Sequence, residues 1–201
     1  MKKFKHFYDF NSEEKWLNDM AKQGFQLIKS TSWSYKFTPS QPENTKIKLD
    51  YRVFKKHEDY EDYLALFEDS GWKHISGTYR SGHQYFKQIK DHASDDIFSD
   101  DESRVARYKR LSDKLTTIAY CLLPIWAVIV TLEMNNWNDG TPLFASELWE
   151  KNWTEFWRTF FPETFFSTIR LFLLLVFPFT ILVNFYFAFK ANKLFKQQLE
   201  K

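Results

Sequence analysis

The chain has 201 residues, a formal net charge of +2 and one cysteine, Cys121. This length allows one or two domains and excludes a large multidomain enzyme, and the nearly balanced charge gives no sign of a polyelectrolyte partner. Hydrophobic residues make up 44% and aromatic residues 20%, which excludes wholesale disorder, and a single cysteine excludes an internal disulfide framework or a zinc site built from several cysteines.

Apolar and polar side chains alternate in several short segments of the first 90 residues, and this pattern predicts β-strands. The alternation covers 3–10, 33–37 and 47–53, and a turn over 76–82 leads into a last strand that contains Tyr85. Because the alternation is strict, we expect one sheet face to be buried and the other to contact water.

Two amphipathic helices are predicted between these strands. In the first, Asn11 and Glu14 have the spacing of a capping box, and Gly24 is placed to end the helix in the left-handed conformation. Gly71 has the same role in the second helix. The apolar faces consist of Trp16, Leu17 and Met20 in the first helix and of Tyr60, Tyr63, Leu64 and Phe67 in the second.

The two helices and the residues after them match at a constant offset of 47 positions. The matched pairs include Glu14 with Glu61, Trp16 with Tyr63, Leu17 with Leu64, Met20 with Phe67, Gly24 with Gly71, Phe25 with Trp72 and Ile28 with Ile75. Matched spacing of this kind indicates an internal duplication. We therefore predict an α+β fold, in which a β-α-β(β) unit is used twice in a ferredoxin-like cytoplasmic domain over 1–90, with both helices on one sheet face.

The water-facing side of the predicted sheet carries a candidate binding face, which consists of Lys48, Asp50 and Arg52. Charged side chains on such a face suit a polar ligand or a partner protein. The alternative interpretation is that they form cross-strand ion pairs.

Five segments of the first 110 residues read, in chain order, EKWLNDMAKQGFQLIK, KLDYRVF, DYEDYLALFEDSGWKHI, YFK and DIFSDDESRVARYKR. Together, and in this order, they resemble the bacterial family catalogued as domain of unknown function 2812. The resemblance covers roughly 4–110. It implies a membrane-associated protein of Gram-positive bacteria, often encoded beside PadR-like transcriptional regulators, and it implies no catalytic residues.

Residues 91–114 form a charged linker in which acidic residues precede basic ones. From about position 101 the linker predicts a juxtamembrane helix, with acids at its start and bases toward its end. The bases are expected to set the membrane topology and to contact anionic lipid headgroups. They are Arg104, Arg107, Lys109 and Arg110. The alternative is a topology signal on a solvated helix.

Uncharged runs over 115–132 and 171–189 predict two transmembrane helices, with bounds of 115–134 and 167–189. Lys and Arg are concentrated before the first run and in the basic tail, 190–201, whereas the intervening loop is mostly acidic. The positive-inside rule therefore predicts a multi-pass protein of the bacterial cytoplasmic membrane with both termini in the cytoplasm. The alternative, two buried core helices, requires more covering protein than this chain offers.

The loop over 135–166 is predicted to lie outside the cytoplasm and to contain an aromatic helix in the membrane interface. Its candidate interfacial aromatics are Trp149, Trp153 and Trp157. This helix either senses lipid or an external amphipathic peptide, or simply seats the second span. At the outer boundary, Glu133 and Arg170 are placed to pair.

The sequence contains no set of residues that predicts catalysis. It has no glycine-rich phosphate loop, its histidines have no nearby residues that complete a metal-ligand set, and Cys121 lies in a predicted span, where a thiolate is disfavoured. We therefore expect no catalytic residue, no cofactor and no metal. Nucleic acid is not expected either, because the first 90 residues carry sixteen bases and twelve acids, too small an excess for a strong phosphate-binding surface, and because the aromatics alternate onto the buried face.

These observations favour a non-enzymatic bacterial membrane protein whose cytoplasmic module binds a protein partner, a small ligand or a second copy of the chain, in envelope sensing or regulation. The alternative is a transport accessory or an immunity protein against membrane-active peptides, which would act through the outer tryptophans. An enzyme is the third hypothesis and would require a deep polar pocket.

Overall fold

The computed structural model divides the chain into two compact units. The folded unit comprises Met1–Asp113 and Phe189–Lys201, and the helical unit comprises Lys114–Ala188. The residues that the structure describes are 1–7, 9–31, 33–90, 96–138, 150 and 152–200.

The described residues of the folded unit form six strands and two short helices in two successive β-α-β-β arrangements. The first arrangement is β1 (Lys2–Phe4), α1 (Phe10–Lys22), β2 (Phe25–Thr31) and β3 (Ser34–Pro39), and the second is β4 (Ile47–Arg52), α2 (His57–Asp69), β5 (Trp72–Ser76) and β6 (Gly82–Gln88). Two long helices follow, α3 (Asp101–Asn138) and α4 (Trp153–Leu199). The predicted α+β class is confirmed.

The strands form two three-stranded antiparallel sheets, of order β1-β3-β2 and β4-β6-β5. This differs from the single sheet that we expected. Strand β2 of the first sheet contacts β5 and β6 of the second. The Ser30 N–H donates to Ser76 Oγ of β5 at 2.8 Å, and Ser30 Oγ donates to the hydroxyl of Tyr85 in β6 at 2.9 Å. The Ser30 N–H is thus bound by a side-chain hydroxyl rather than by a backbone carbonyl.

Helix α1 begins differently from the sequence prediction. The first strand ends at Phe4, and Asp9 is the N-cap of the helix, because its carboxylate accepts the N–H groups of Asn11 and Ser12 at 3.3 and 3.0 Å. The predicted capping box is therefore wrong: Glu14 points into the folded unit instead of back to the helix start. Tyr8, which we assigned to the first strand, lies outside the described residues.

The apolar faces and the ends of α1 and α2 agree with the prediction. Gly24 and Gly71 have φ angles of 82° and 89°, in the left-handed region that glycine adopts without strain. The buried or partly buried residues of the two helix faces are Trp16, Leu17 and Met20 on α1 and Tyr60, Tyr63, Leu64 and Phe67 on α2.

The described part of the folded unit has two hydrophobic cores, and the first contains residues of both β-α-β-β arrangements. The first core contains Phe10, Leu17, Met20, Ala21, Leu27, Tyr35, Phe37, Ile47, Leu49, Tyr51, Tyr85 and Tyr108. The second core is smaller and contains Phe54, Tyr60, Tyr63, Trp72 and Phe86. Residues far along the chain complete the first core: Leu111 of α3 and Leu194 and Phe195 of α4 pack against it.

In the helical unit, α3 and α4 are both long and apolar enough to cross a membrane, and only 6% and 11% of their most apolar windows are buried. Trp126 Nε1 donates to the Leu174 carbonyl at 3.3 Å, and the predicted pair of Glu133 and Arg170 is present at 3.8 Å. The apolar surfaces of both helices are thus largely uncovered by protein.

From Trp153 onward, the segment that we predicted as a separate interfacial helix is the start of α4. Helix α4 begins at Trp153, contains Trp157 in its second turn and continues through Pro162 and Pro178 to Leu199. Residues 139–149 and 151 lie outside the described residues, and Trp149 is among them.

Candidate functional site

The first part of α3 is docked onto α1 and β4 by a buried arginine. Arg107 is 1% exposed, and its guanidinium donates to Glu14 Oε1 at 2.5 Å, to the Leu49 carbonyl at 2.6 Å and to Asn11 Oδ1 at 2.6 Å. The Leu49 N–H donates to the same Glu14 oxygen at 3.1 Å. Charge-assisted hydrogen bonds of this kind are stronger than neutral ones, and an enclosed charge needs them.

Two further contacts extend this docking along α3. Arg110 donates to Asp50 Oδ1 and to the Tyr51 carbonyl, both at 2.6 Å, and the Tyr108 hydroxyl donates to Asp9, the N-cap of α1. The Tyr108 hydrogen bond, together with those from Ser12 and Asn11, lowers the pKa of Asp9 against the opposing effect of burial. The helix that leaves the folded unit is therefore held at successive turns.

A polar cavity of about 750 Å³ lies beside this docked segment. It is lined by Asn11, Lys48, Asp96, Asp101, Glu102, Arg104, Val105, Gln198 and Leu199. Arg104 pairs with Asp96 and Asp101, both at 2.8 Å. Lys48 pairs with Glu14 at 3.3 Å and with Asp96 at 3.4 Å. The cavity thus presents both charge signs and amide groups, which suit a polar ligand or a polar segment of a partner.

The three residues of the predicted binding face do not share one open surface. Lys48 lines the polar cavity, whereas Arg52 lines a second cavity of about 610 Å³ and places its guanidinium 5.6 Å from the ring centre of Tyr63. Asp50 lies between them and is only 3% exposed, because Arg110 and the Tyr63 hydroxyl cover it. The expected water-facing side of the sheet is therefore partly buried by α2 and α3.

The bases that we assigned to lipid headgroups have partners inside the folded unit. Arg104, Arg107 and Arg110 bind carboxylates there, and Lys109 Nζ lies 5.9 Å from the ring centre of Phe195. Because Arg107 is enclosed, it is not available to a headgroup. Sequence reasoning missed this docking, although one signal was present: Val105, Tyr108 and Ser112 are buried at helical spacing.

A second buried carboxylate joins the two sheets. Glu13 is 3% exposed, and its Oε1 accepts the hydroxyls of Tyr35 in β3 and Tyr85 in β6, both at 2.7 Å. Burial raises the pKa of Glu13 above its ordinary value, although the two tyrosine hydrogen bonds oppose the shift. This network was not predicted, because nothing in the sequence pairs a helix acid with tyrosines on two different sheets.

The described residues contain no group of three or more His, Cys, Asp or Glu side chains that could hold a metal ion. The absence of a cofactor and of catalysis stays a prediction. The polar cavity can bind a ligand through hydrogen bonds and ion pairs.

Residues 9–120 match the family model described as "Protein of unknown function (DUF2812)", and this range is more than half of the 201 residues. It begins at the N-cap of α1 and includes the whole docked part of α3. No curated protein and no solved structure matches the chain.

Proposed function

The chain belongs to the DUF2812 family of proteins of unknown function, and from that premise we propose that it is a non-enzymatic binding protein anchored in the bacterial cytoplasmic membrane. Its folded unit lies in the cytoplasm, binds a partner protein or a small polar ligand in the polar cavity, and relays binding to or from the membrane. Envelope sensing or regulation is the role that fits such a molecule.

The observation that carries this proposal is that one helix, α3, both lines the polar cavity and forms the first apolar segment. Its first turns line the polar cavity through Asp101, Glu102 and Arg104 and dock on the folded unit through Arg107 and Arg110. Its later turns form the first apolar segment. A ligand in the cavity would therefore contact the same helix that enters the membrane.

The C-terminal end of α4 supports the proposed topology. Leu194 and Phe195 follow the second apolar segment and pack against the first core of the folded unit. A membrane cannot separate residues that pack together, so both ends of the described chain are on the same side. The excess of Lys and Arg near these ends favours the cytoplasmic side.

We also propose that the two β-α-β-β arrangements arose by duplication of one ferredoxin-like unit. Both have the same order of elements, and each sheet has its third strand in the centre. The sequence offset of 47 residues supports the same origin.

Cysteine labelling in intact cells tests the topology. In a Cys121→Ser background, single cysteines replace exposed residues at Lys15, Gln197 and Asn152. We expect a membrane-impermeant maleimide to label position 152 in intact cells and positions 15 and 197 only after permeabilisation. Labelling of position 15 in intact cells would reverse the proposed orientation.

Photo-crosslinking tests the binding role. A photoreactive amino acid replaces Glu102 at the cavity, and a matched variant carries it at Glu61, which is 67% exposed on α2. We expect a crosslinked species at position 102 but not at 61, and we expect Lys48→Glu to abolish it. Equal crosslinking from both positions, or crosslinking that survives Lys48→Glu, contradicts a role for the cavity.

The start of α4 favours a second candidate function, protection against membrane-active peptides. Trp153 and Phe161 are 75% and 66% exposed, and Trp153 stacks edge-to-face with Trp157 at 5.5 Å. Peptide sensitivity of cells that carry Trp153→Ala with Trp157→Ala separates the two functions. This double variant should increase sensitivity only if the aromatic residues act on peptides, and it should leave crosslinking from position 102 unchanged.

A further inference from the structure

The outer face of the β1-β3-β2 sheet carries a row of lysines. Lys36 of β3 is the register partner of Lys2 in β1 and of Lys29 in β2, so the three side chains stand next to one another across all three strands. All three are exposed. We name these three residues the lysine face.

No carboxylate shares the strands of this sheet. The acidic residues of the first 39 positions are Asp9, Glu13, Glu14 and Asp19, and all of them belong to α1 or its N-cap. The lysine face makes no ion pair with any described residue. Lys2 Nζ lies 4.7 Å from the ring centre of Phe4.

Like charges directly opposite each other on neighbouring strands destabilise a sheet. The lysine face places three positive charges next to one another. Elsewhere in the folded unit a carboxylate neutralises a lysine, as Glu43 does for Lys87 at 2.7 Å, but the strands of this sheet carry no carboxylate. An anion bound from outside would remove this repulsion. The arrangement therefore has the charge and the flat geometry of a surface for an anionic partner.

We propose that the lysine face binds the anionic headgroups of the membrane to which the chain is anchored. Phe4, which is 74% exposed on the same face, inserts between the headgroups. Each lysine near an anionic bilayer contributes about a five-fold preference for the bound state, so three contribute on the order of 100-fold. This inference rests on the proposed membrane anchoring and deepens it, because it makes the folded unit sensitive to lipid charge.

A bilayer is favoured over nucleic acid as the occupant. The two apolar helices tether the folded unit close to lipid, which raises the effective concentration of headgroups. A nucleic-acid platform stacks bases on several exposed aromatics of the sheet. Within the strands of this sheet the only exposed aromatic is Phe4, because Phe25 is partly buried and Tyr35 and Phe37 are buried.

The experiment uses the full chain in lipid nanodiscs. A nitroxide label is attached at Thr38→Cys, an exposed position of β3 on the same face as Lys36, in the Cys121→Ser background. Spin-label accessibility to lipid-soluble oxygen and to a water-soluble nickel chelate is compared between phosphatidylcholine discs and discs that also contain phosphatidylglycerol. We expect phosphatidylglycerol to raise oxygen access and lower nickel access, and high salt to reverse both changes.

Two triple variants decide the outcome. Replacement of Lys2, Lys29 and Lys36 by Gln should abolish the lipid-dependent change. The matched control replaces three other exposed lysines of the folded unit, Lys15, Lys22 and Lys73, by Gln and should retain it.

Three results would overturn the proposal: no response to phosphatidylglycerol, an equal loss in both triple variants, or a response that a single-stranded oligonucleotide removes at low concentration, which would assign the face to nucleic acid. Reversed cysteine labelling with an intact lipid response would overturn the topology alone, so the two failures are distinguishable.

Discussion

Helices α1 and α2 hold the same place in two β-α-β-β arrangements, yet they have different surroundings. Glu14 of α1 is buried against Arg107, whereas Glu61, its counterpart 47 residues later, is 67% exposed and lies 3.3 Å from His57. Leu17 is fully enclosed, whereas its counterpart Leu64 is only partly buried. Two helices in the same position of a repeated arrangement can therefore differ in role: α1 helps to anchor α3 through a buried ion pair, whereas the matching position of α2 is exposed.

The largest effect should come from breaking the buried ion pair of the first half. Arg107→Ala leaves Glu14 enclosed without its cation, which should lower the free energy of unfolding by about 3–5 kcal/mol. The matched change in the second half, Glu61→Ala, removes only an exposed pair and should cost about 0.5 kcal/mol or less. Urea unfolding of the detergent-solubilised chain, followed by near-ultraviolet circular dichroism, measures both.

A double variant identifies the cause of this loss. Glu14→Leu combined with Arg107→Met removes both charges, and it should be less destabilised than Arg107→Ala if the uncompensated carboxylate is responsible. If Arg107→Ala cost no more than Glu61→Ala, the two halves would be equivalent and the comparison would fail.

The next largest effect is a pH-dependent change in stability that arises from Glu13. The counterpart of Glu13, 47 residues later, is Tyr60. Burial raises the pKa of Glu13, so its contribution to stability is fully present below its ordinary value of 4.5 and is lost as the pH rises through the raised value. Glu13→Gln keeps an acceptor for the hydroxyls of Tyr35 and Tyr85 but does not ionise. Its stability relative to the natural chain should therefore increase from about pH 5 to about pH 8.

Urea midpoints across this range measure the difference. Tyr60→Phe is the matched control, since it changes the corresponding position in the second half and should give a difference that does not vary over the same pH range. A constant difference for Glu13→Gln would show that Glu13 ionises as readily in the folded chain as in the unfolded one.

The smallest effect should come from the helix starts. Asp9 caps α1 with its carboxylate, whereas Lys56 at the start of α2 forms no side-chain cap. Lys56→Asp should stabilise the first turn of α2 by about 1 kcal/mol or less, through a new cap and a favourable charge at the helix N-terminus. Amide hydrogen exchange of α2 measures the gain, and Lys55→Asp, one position earlier, should show none. Equal protection in both variants would mean that capping does not limit α2.

Local features were predictable from the sequence, because they depend on residues close together in the chain. The apolar faces of α1 and α2, their ends at Gly24 and Gly71 and the last hairpin all follow from spacing. The duplication and the membrane topology stay predictions.

The candidate site could not be predicted, because its contacts join distant parts of the chain. Arg107 and Glu14 are 93 positions apart. Each also had a local interpretation that fitted the sequence: Arg107 as a topology signal before a span, and Glu14 as part of a capping box. Sequence spacing does not reveal such an ion pair, because the tertiary fold, and not the local structure, brings the two charges together. The same reason explains why Asp50, on a strand with alternating pattern, is buried rather than in contact with water.

The packing of Leu194 and Phe195 on the first core has a consequence for biogenesis. In the proposed topology, the ribosome makes these residues after both apolar segments, so the amino-terminal part of the folded unit emerges before its first core can be completed. A chain whose second segment failed to insert, or inserted backwards, would leave that interior open. Cellular proteases would then distinguish misassembled molecules from finished ones by a defect in the unit that we propose to lie in the cytoplasm.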